Sequence, residues 1–233
     1  MKTIGLIGGM SWESSASYYR IINEAVRDAR GPTASAECVM WSFDFAAIEA
    51  LQHRGDWDAL TKLLRDVAVR LERAGADFLL ICTNTMHKMA AAVQASVSIP
   101  LLHIADPTAR RIKAAGMRRV GLLGTAFTME QDFYTGRLRA EHGLEVLVPE
   151  AADRAAVHRI IYDELVAGVV SAESRTLYRD VIARLVAQGA EAVILGCTEI
   201  MLLVSAEDSA VPLFDTTELH ALAAVEIALG ADA

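Results

Sequence analysis

The chain has 233 residues, 53% of them hydrophobic, and a formal net charge of −8. That length and apolar content support one large domain or two small ones around a packed core. The acidic balance argues against nonspecific binding to nucleic acid or to an acidic membrane, since both need a cationic surface.

Met1-Lys2-Thr3-Ile4-Gly5-Leu6-Ile7-Gly8-Gly9-Met10 opens the chain with one lysine and a short apolar run. The run is too short for a secretory leader, and Trp12-Glu13 stands where small cleavage-site residues would be expected. It reads as a first β-strand and its turn. Further along, Thr3–Ile7, Cys38–Phe43, Phe78–Cys82, Leu101–Ile104, Val120–Leu123, Glu145–Val148, Ala192–Leu195 and Leu213–Phe214 read as strands. Helix-like segments such as Trp57–Ala74 and Ser174–Gln188 lie between them, and Glu218–Leu229 closes the chain as a helix that packs back on the first half. Continuous apolar strands alternating with helices predict α/β architecture with parallel sheets covered on both faces. No stretch of about 20 apolar residues predicts a membrane span.

An internal repeat organises these elements. Asp66-Val67, Arg70-Leu71 and Gly75-Ala76-Asp77 match Asp180-Val181, Arg184-Leu185 and Gly189-Ala190-Glu191 at an offset of 114 (184 − 70 = 114). Ile4-Gly5-Leu6-Ile7-Gly8 echoes Val120-Gly121-Leu122-Leu123-Gly124 (120 − 4 = 116), and Ile99-Pro100-Leu101-Leu102 echoes Val211-Pro212-Leu213-Phe214 (211 − 99 = 112). Two similar halves follow: residues 1–104 with 217–233, and residues 105–216. The repeat places Thr83 on Cys197 and Cys82 on Gly196. Both positions fall at the carboxyl end of a buried strand, where a helix should begin and where open α/β sheets bind ligands.

Cys38, Cys82 and Cys197 are few, odd in number and widely spaced. No CxxC or Cys/His spacing predicts a structural metal or a disulfide framework, and a reducing cytoplasm is the expected setting. His53, His103, His142, His158 and His220 form no metal-ligand spacing and are read as structural. His87, four residues past Thr83, is read as a surface or capped histidine, with an orienting role as the alternative. Gly8-Gly9 permits close backbone approach, but the stretch is not GxGxxG and gives a dinucleotide site little support.

Gly8-Gly9-Met10-Ser11-Trp12-Glu13-Ser14, Cys82-Thr83-Asn84-Thr85-Met86-His87-Lys88 and Leu195-Gly196-Cys197-Thr198-Glu199-Ile200 resemble the motifs of the aspartate/glutamate racemase family, essentially end to end. The resemblance implies two doubly wound parallel-sheet domains related by a pseudo-twofold axis, with the active site between them. It implies an isomerase that needs no cofactor, acts on a small amino acid and forms a homodimer. The family's usual first motif has cysteine directly before Asn-Thr; here that position is Thr83. This resembles a subgroup specific for L-aspartate and L-glutamate, in which threonine faces a single catalytic cysteine.

Carried over position by position, Cys197 is the catalytic base and Thr83 its partner on the opposite face of Cα. Met10, Gln52, Asn84, Thr85, Thr198 and Glu199 match ligand-contacting positions, and the internal repeat adds Thr125. Met10 as turn packing, Thr83 as a helix cap and Glu199 as a helix-terminus charge remain alternative readings. If extended geometry persists to residue 83, Cys82 points away from that site and is a small buried hydrophobe. An unperturbed cysteine thiol ionises near pH ~8.5, so it serves as both thiolate base and thiol acid near neutrality, and a helix N-terminus is expected to lower that value. Gln52, with Arg54 nearby, leaves neutral substrates such as homoserine open. A malonate decarboxylase of the same superfamily and a non-catalytic binding module are the remaining alternatives.

Overall fold

The computed structural model describes residues 1–230. The chain divides into two compact units, one of residues Met1–Ile104 with the chain from His220 onward, the other Ala105–Leu219.

In the first unit the order is β1 (Ile4–Gly8), α1 (Trp12–Arg30), β2 (Cys38–Ser42), α2 (Phe45–Arg54), α3 (Trp57–Arg73), β3 (Phe78–Ile81), a 3-10 turn (Thr85–Met89), α4 (Ala90–Gln94) and β4 (Leu101–Leu102). The strands form one parallel sheet in the order β2-β1-β3-β4. Strand residues alternate between faces, and the two faces carry separate cores. Ile4, Leu6, Phe78, Leu80 and Cys82 pack with Tyr18, Ile22 and Val26 of α1 and with Ala221, Ala224 and Val225 near the chain's end. Ile7, Leu79 and Ile81 pack with Ile48 of α2 and Leu60, Leu64, Val67 and Leu71 of α3. The closing helix therefore packs on the first half, as its sequence pattern predicts.

The second unit runs α5 (Ala105–Ala114), β5 (Arg119–Gly124), α6 (Ala126–Glu130), α7 (Asp132–His142), β6 (Glu145–Leu147), α8 (Ala151–Asp163), a 3-10 turn (Leu165–Ala167), α9 (Ala172–Ala187), β7 (Ala192–Gly196), α10 (Ile200–Leu203), a 3-10 turn (Ala206–Asp208) and β8 (Leu213–Asp215). Its parallel sheet has the order β6-β5-β7-β8. The last helix, α11 (Thr216–Leu229), begins in this unit and ends in the other.

The repeat survives down to strand register. Ile4 pairs with Phe78 in one sheet, and Val120 with Ala192 in the other. Leu79 pairs with Leu101, and Val193 with Leu213. The Gly-Ala-Asp/Glu motif has the same task in both. Asp77 accepts the Thr3 N–H at 2.6 Å and its own N–H reaches the Thr3 carbonyl. Glu191 accepts the N–H groups of Arg118 and Arg119 at 2.7 and 3.0 Å, and its N–H reaches the Arg119 carbonyl. In each half an acidic residue ties the start of the third strand to the start of the first.

All eight expected strands are present, with shifted ends. Leu101–Ile104 shortens to Leu101–Leu102 because the chain turns at Ile104 to start α5. Phe78–Cys82 ends at Ile81, where the Thr83 N–H bonds back to the Ile81 carbonyl at 2.9 Å and closes a three-residue turn. Among the described residues, no helix is long and apolar enough to cross a membrane.

Candidate functional site

In the first unit the expected residues gather at the carboxyl edge of β1 and β3. Gly9 has φ +80, and a Cβ on it would stand 2.2 Å from the Phe43 nitrogen. Only glycine lets the β1 turn lie this close to the end of β2. The Gly9 N–H donates to the Ser15 hydroxyl at 2.7 Å, and Ser11 caps α1 by accepting the Ser14 N–H. Met10 is buried in the α2/α3-side core. Gln52, buried in α2, donates its amide to the Met86 sulfur at 3.2 Å. Arg54 is exposed. Thr83 is half-buried, while Asn84 and Thr85 are buried.

Thr83 is held at both backbone groups. Its N–H is taken by Ile81, and its carbonyl accepts from His87 Nδ1 at 2.8 Å. His87 is only 2% exposed, which corrects its reading as a surface histidine. Its ring fills the space between Thr83 and the end of β4, a site no surface position offers. Cys82, one residue from Thr83, is fully buried in the α1-side core, and burial pushes its thiol far above the usual range. The three-residue turn, not continued extension, separates Cys82 from Thr83, so that premise is corrected.

In the second unit Thr125, Cys197, Thr198 and Glu199 gather at the carboxyl edge of β5 and β7. Thr125 caps α6 through the Thr128 N–H. The Ala126 N–H donates to His158 Nδ1 at 3.1 Å. Cys197 follows β7 directly. Its thiol donates to Glu199 Oε2 at 2.9 Å, and Glu199 is buried. Part of Cys197 reaches solvent, yet the surroundings of its sulfur are dense. That burial raises its pKa well above the ordinary value, and the Glu199 charge and hydrogen bond raise it further. The backbone N–H groups of Glu199 and Thr198 act in the opposite direction. The expected lowering is thereby corrected. The helix after Cys197 is four residues long, too short for a strong terminal dipole, and a carboxylate sits beside the sulfur.

Sterics distinguish the two repeat-equivalent positions Cys82 and Gly196. A Cβ at Gly196, the repeat partner of Cys82, would stand 2.8 Å from the Leu123 carbonyl oxygen and 3.0 Å from Leu122 Cδ1. Neighbouring strand ends close that position to any side chain, whereas Cys82 has a core pocket.

The local frame includes residues the sequence reading left out. Ser15 holds the Gly9 turn. Thr216 donates to the Leu195 carbonyl at 2.9 Å, just before Cys197. Buried Tyr178 has its pKa raised by burial, then by the charges of Cys197, Glu164 and Glu199. Polar residues on helix faces carry no such signal in sequence, because their partners lie on other elements: Gly9 in the turn before α1 for Ser15, and Leu195 of β7 for Thr216. Among the described residues, no group of three or more His, Cys, Asp or Glu has the arrangement of a metal site.

The model of the Asp/Glu/hydantoin racemase family matches residues 7–224. The broad-specificity amino-acid racemase RacX of Bacillus subtilis (strain 168) is 28% identical over 170 residues, covering 70% of this chain and 69% of that protein. A Yersinia pestis crystal structure, described as a candidate Asp/Glu racemase, superposes with a TM-score of 0.93 at 54% identity, covering 98% of this chain and 100% of the other. An aspartate racemase homologue from Pyrococcus horikoshii OT3 gives 0.85 at 37% identity, with the same coverage.

Proposed function

The chain belongs to the Asp/Glu/hydantoin racemase family, and on that premise we propose that it inverts Cα of L-aspartate and L-glutamate without a cofactor. Cys197 removes the proton from the L enantiomer and Thr83 delivers one to the opposite face. The observation that carries this reading is the Cys197 thiol donating to buried Glu199 at 2.9 Å, at the carboxyl end of β7. One proton shared by thiol and carboxylate gives a base without a free thiolate beside a charge. As the sulfur takes the Cα proton, its own proton passes to Glu199. The carbanion is left delocalised over the substrate carboxylate, and the Thr83 hydroxyl protonates it; solvent then reprotonates Thr83 and takes the extra proton from Glu199, which restores the starting thiol–carboxylate pair.

Threonine ionises far above cysteine, so Thr83 is the weaker partner, and abstraction from the D enantiomer is slow. The N–H groups of Thr198 and Glu199 and the side chains of Asn84, Thr85, Thr125 and Thr198 supply donors for the substrate carboxylate and the developing charge. Met10 and Gln52 bound the substrate within the first unit. The three unpaired thiols fit a cytoplasmic enzyme. The homodimer implied by resemblance is read by sedimentation.

A second reading has its own support. Gln52 is neutral, buried and turned to a sulfur, and a relative is named for broad specificity. That pair of facts supports racemisation of neutral amino acids such as homoserine. Chiral chromatography after incubation with L-aspartate, L-glutamate and L-homoserine separates the readings. D-aspartate or D-glutamate forming fastest, and not forming with Cys197→Ser, is the expected result. Faster conversion of homoserine would replace the acidic substrates by neutral ones, and no conversion of any would reject the racemase.

A further inference from the structure

We infer that His87, in its uncharged Nδ1–H form, is a positioning residue for Thr83. The inference rests on the proposed proton-transfer role of Thr83.

The hydrogen-bond partners fix the tautomer. The backbone N–H of Ile104 donates to His87 Nε2 at 3.1 Å, so Nε2 is an acceptor and carries no proton. The remaining proton is on Nδ1, 2.8 Å from the Thr83 carbonyl, which can only accept. A charged ring would set an N–H against the Ile104 N–H.

The ring is itself anchored. It lies 4.5 Å from the His103 ring and 5.8 Å from the His220 ring, centroid to centroid. His220 is fixed in the other tautomer. Its Nε2 donates to the Leu102 carbonyl at 2.9 Å, and its Nδ1 accepts the Tyr18 hydroxyl at 2.7 Å. Thr83 is thereby tied through His87 to the end of β4, and the supporting ring, carried by α11, is pinned by α1 and β4. With the N–H already closed on Ile81, the His87 bond settles the peptide plane after Thr83 and hence the direction of the Cα–Cβ bond that carries its hydroxyl. A capping role alone would need the donor to Thr83 but not a buried acceptor for Ile104.

Two substitutions divide the ring's functions. In His87→Asn the amide nitrogen occupies the Nδ1 place and still donates to Thr83. In His87→Gln the longer amide reaches the Nε2 place and the donor to Thr83 is lost. Two processes are followed from L-glutamate in deuterated water: loss of the Cα–H signal (washout), by proton NMR, which needs Cys197 alone when configuration is retained, and appearance of D-glutamate (inversion), by chiral chromatography of the same samples, which also needs Thr83.

His87→Gln is expected to lower inversion by about tenfold, the loss of one hydrogen bond, with washout within about twofold. His87→Asn is expected to keep inversion within about threefold. Parallel loss of washout and inversion in His87→Gln, unchanged inversion in that variant, or an equal fall in both variants would overturn the inference. Histidine 15N NMR of the wild-type protein adds a readout independent of turnover: a protonated Nε2 at His87 would overturn it as well. Wild-type protein that exchanges no amino acid would instead reject the racemase reading, and this inference with it.

Discussion

Replacing Cys82 separates a buried cysteine from a reactive one. Cys82 is 0% exposed, among Ile4, Leu6, Tyr18 and Phe78. Serine there buries a hydroxyl among apolar side chains, which destabilises by about 1–3 kcal/mol when no partner is found. Alanine removes the sulfur without adding a polar group and costs about 1 kcal/mol for the lost atom. For a chain of this size each kcal/mol moves Tm by about 2–4 °C. Serine should therefore lower Tm by roughly 2–12 °C and alanine by less. The assay is calorimetric Tm beside Cα–H exchange per folded molecule at a temperature well below the transition. Both variants should retain most of the exchange. Loss of exchange in folded Cys82→Ala, or serine as stable as cysteine, would refute the placement of Cys82 in the core.

Three further outcomes follow from the geometry. The Cys197 thiol is raised by burial and by Glu199, so removing that charge lets the thiolate form at lower pH. In Glu199→Gln, the alkaline rise in iodoacetamide labelling at Cys197, read by peptide mass spectrometry, should move to lower pH; an unchanged or higher rise contradicts the pairing. Gly9→Ala places a Cβ against Phe43 backbone atoms at 2.2 and 2.3 Å in a positive-φ conformation. Strain and overpacking together should cost roughly 2–5 kcal/mol, measured by urea unfolding, and a change below about 1 kcal/mol would contradict the close turn. Thr83→Cys supplies a more acidic group on the second face and should speed exchange from D-glutamate, measured by proton NMR; no gain would count against Thr83 as the partner group.

Much of this was legible in the sequence because it is local or periodic. Apolar runs such as Phe78-Leu79-Leu80-Ile81 mark strands, and the Gly-Ala-Asp/Glu repeat marks the same joint in both sheets. Strand ends were less legible, since Ile81 is ended by a turn whose hydrogen bond involves backbone alone, and the chain after Leu102 is held by His87 and His220, which are distant in sequence. The segments after Thr83 and Cys197 read as helix starts by α/β grammar, yet they fold as a 3-10 turn and a four-residue helix. Asn84, Thr85 and Thr198 have side chains that compete for backbone partners and favour such short turns. The raised Cys197 thiol was missed because the carboxylate that raises it, two residues away, was read as a ligand contact or a helix-terminus charge. His87 and His220 were illegible as a pair: the anchors of His220 lie 202 residues away at Tyr18 and 118 away at Leu102.

The central claim is that Cys197 and Thr83 exchange the Cα proton of an acidic amino acid from opposite faces. Proton NMR of L- and D-glutamate and of L- and D-aspartate in deuterated water, with wild-type and Cys197→Ser protein, tests it most directly. The account predicts loss of the Cα–H signal from the L forms, slower loss from the D forms, and none from the L forms with Cys197→Ser. Exchange of the L forms that persists in Cys197→Ser, or exchange that is absent from all four substrates with the wild-type protein, would contradict it.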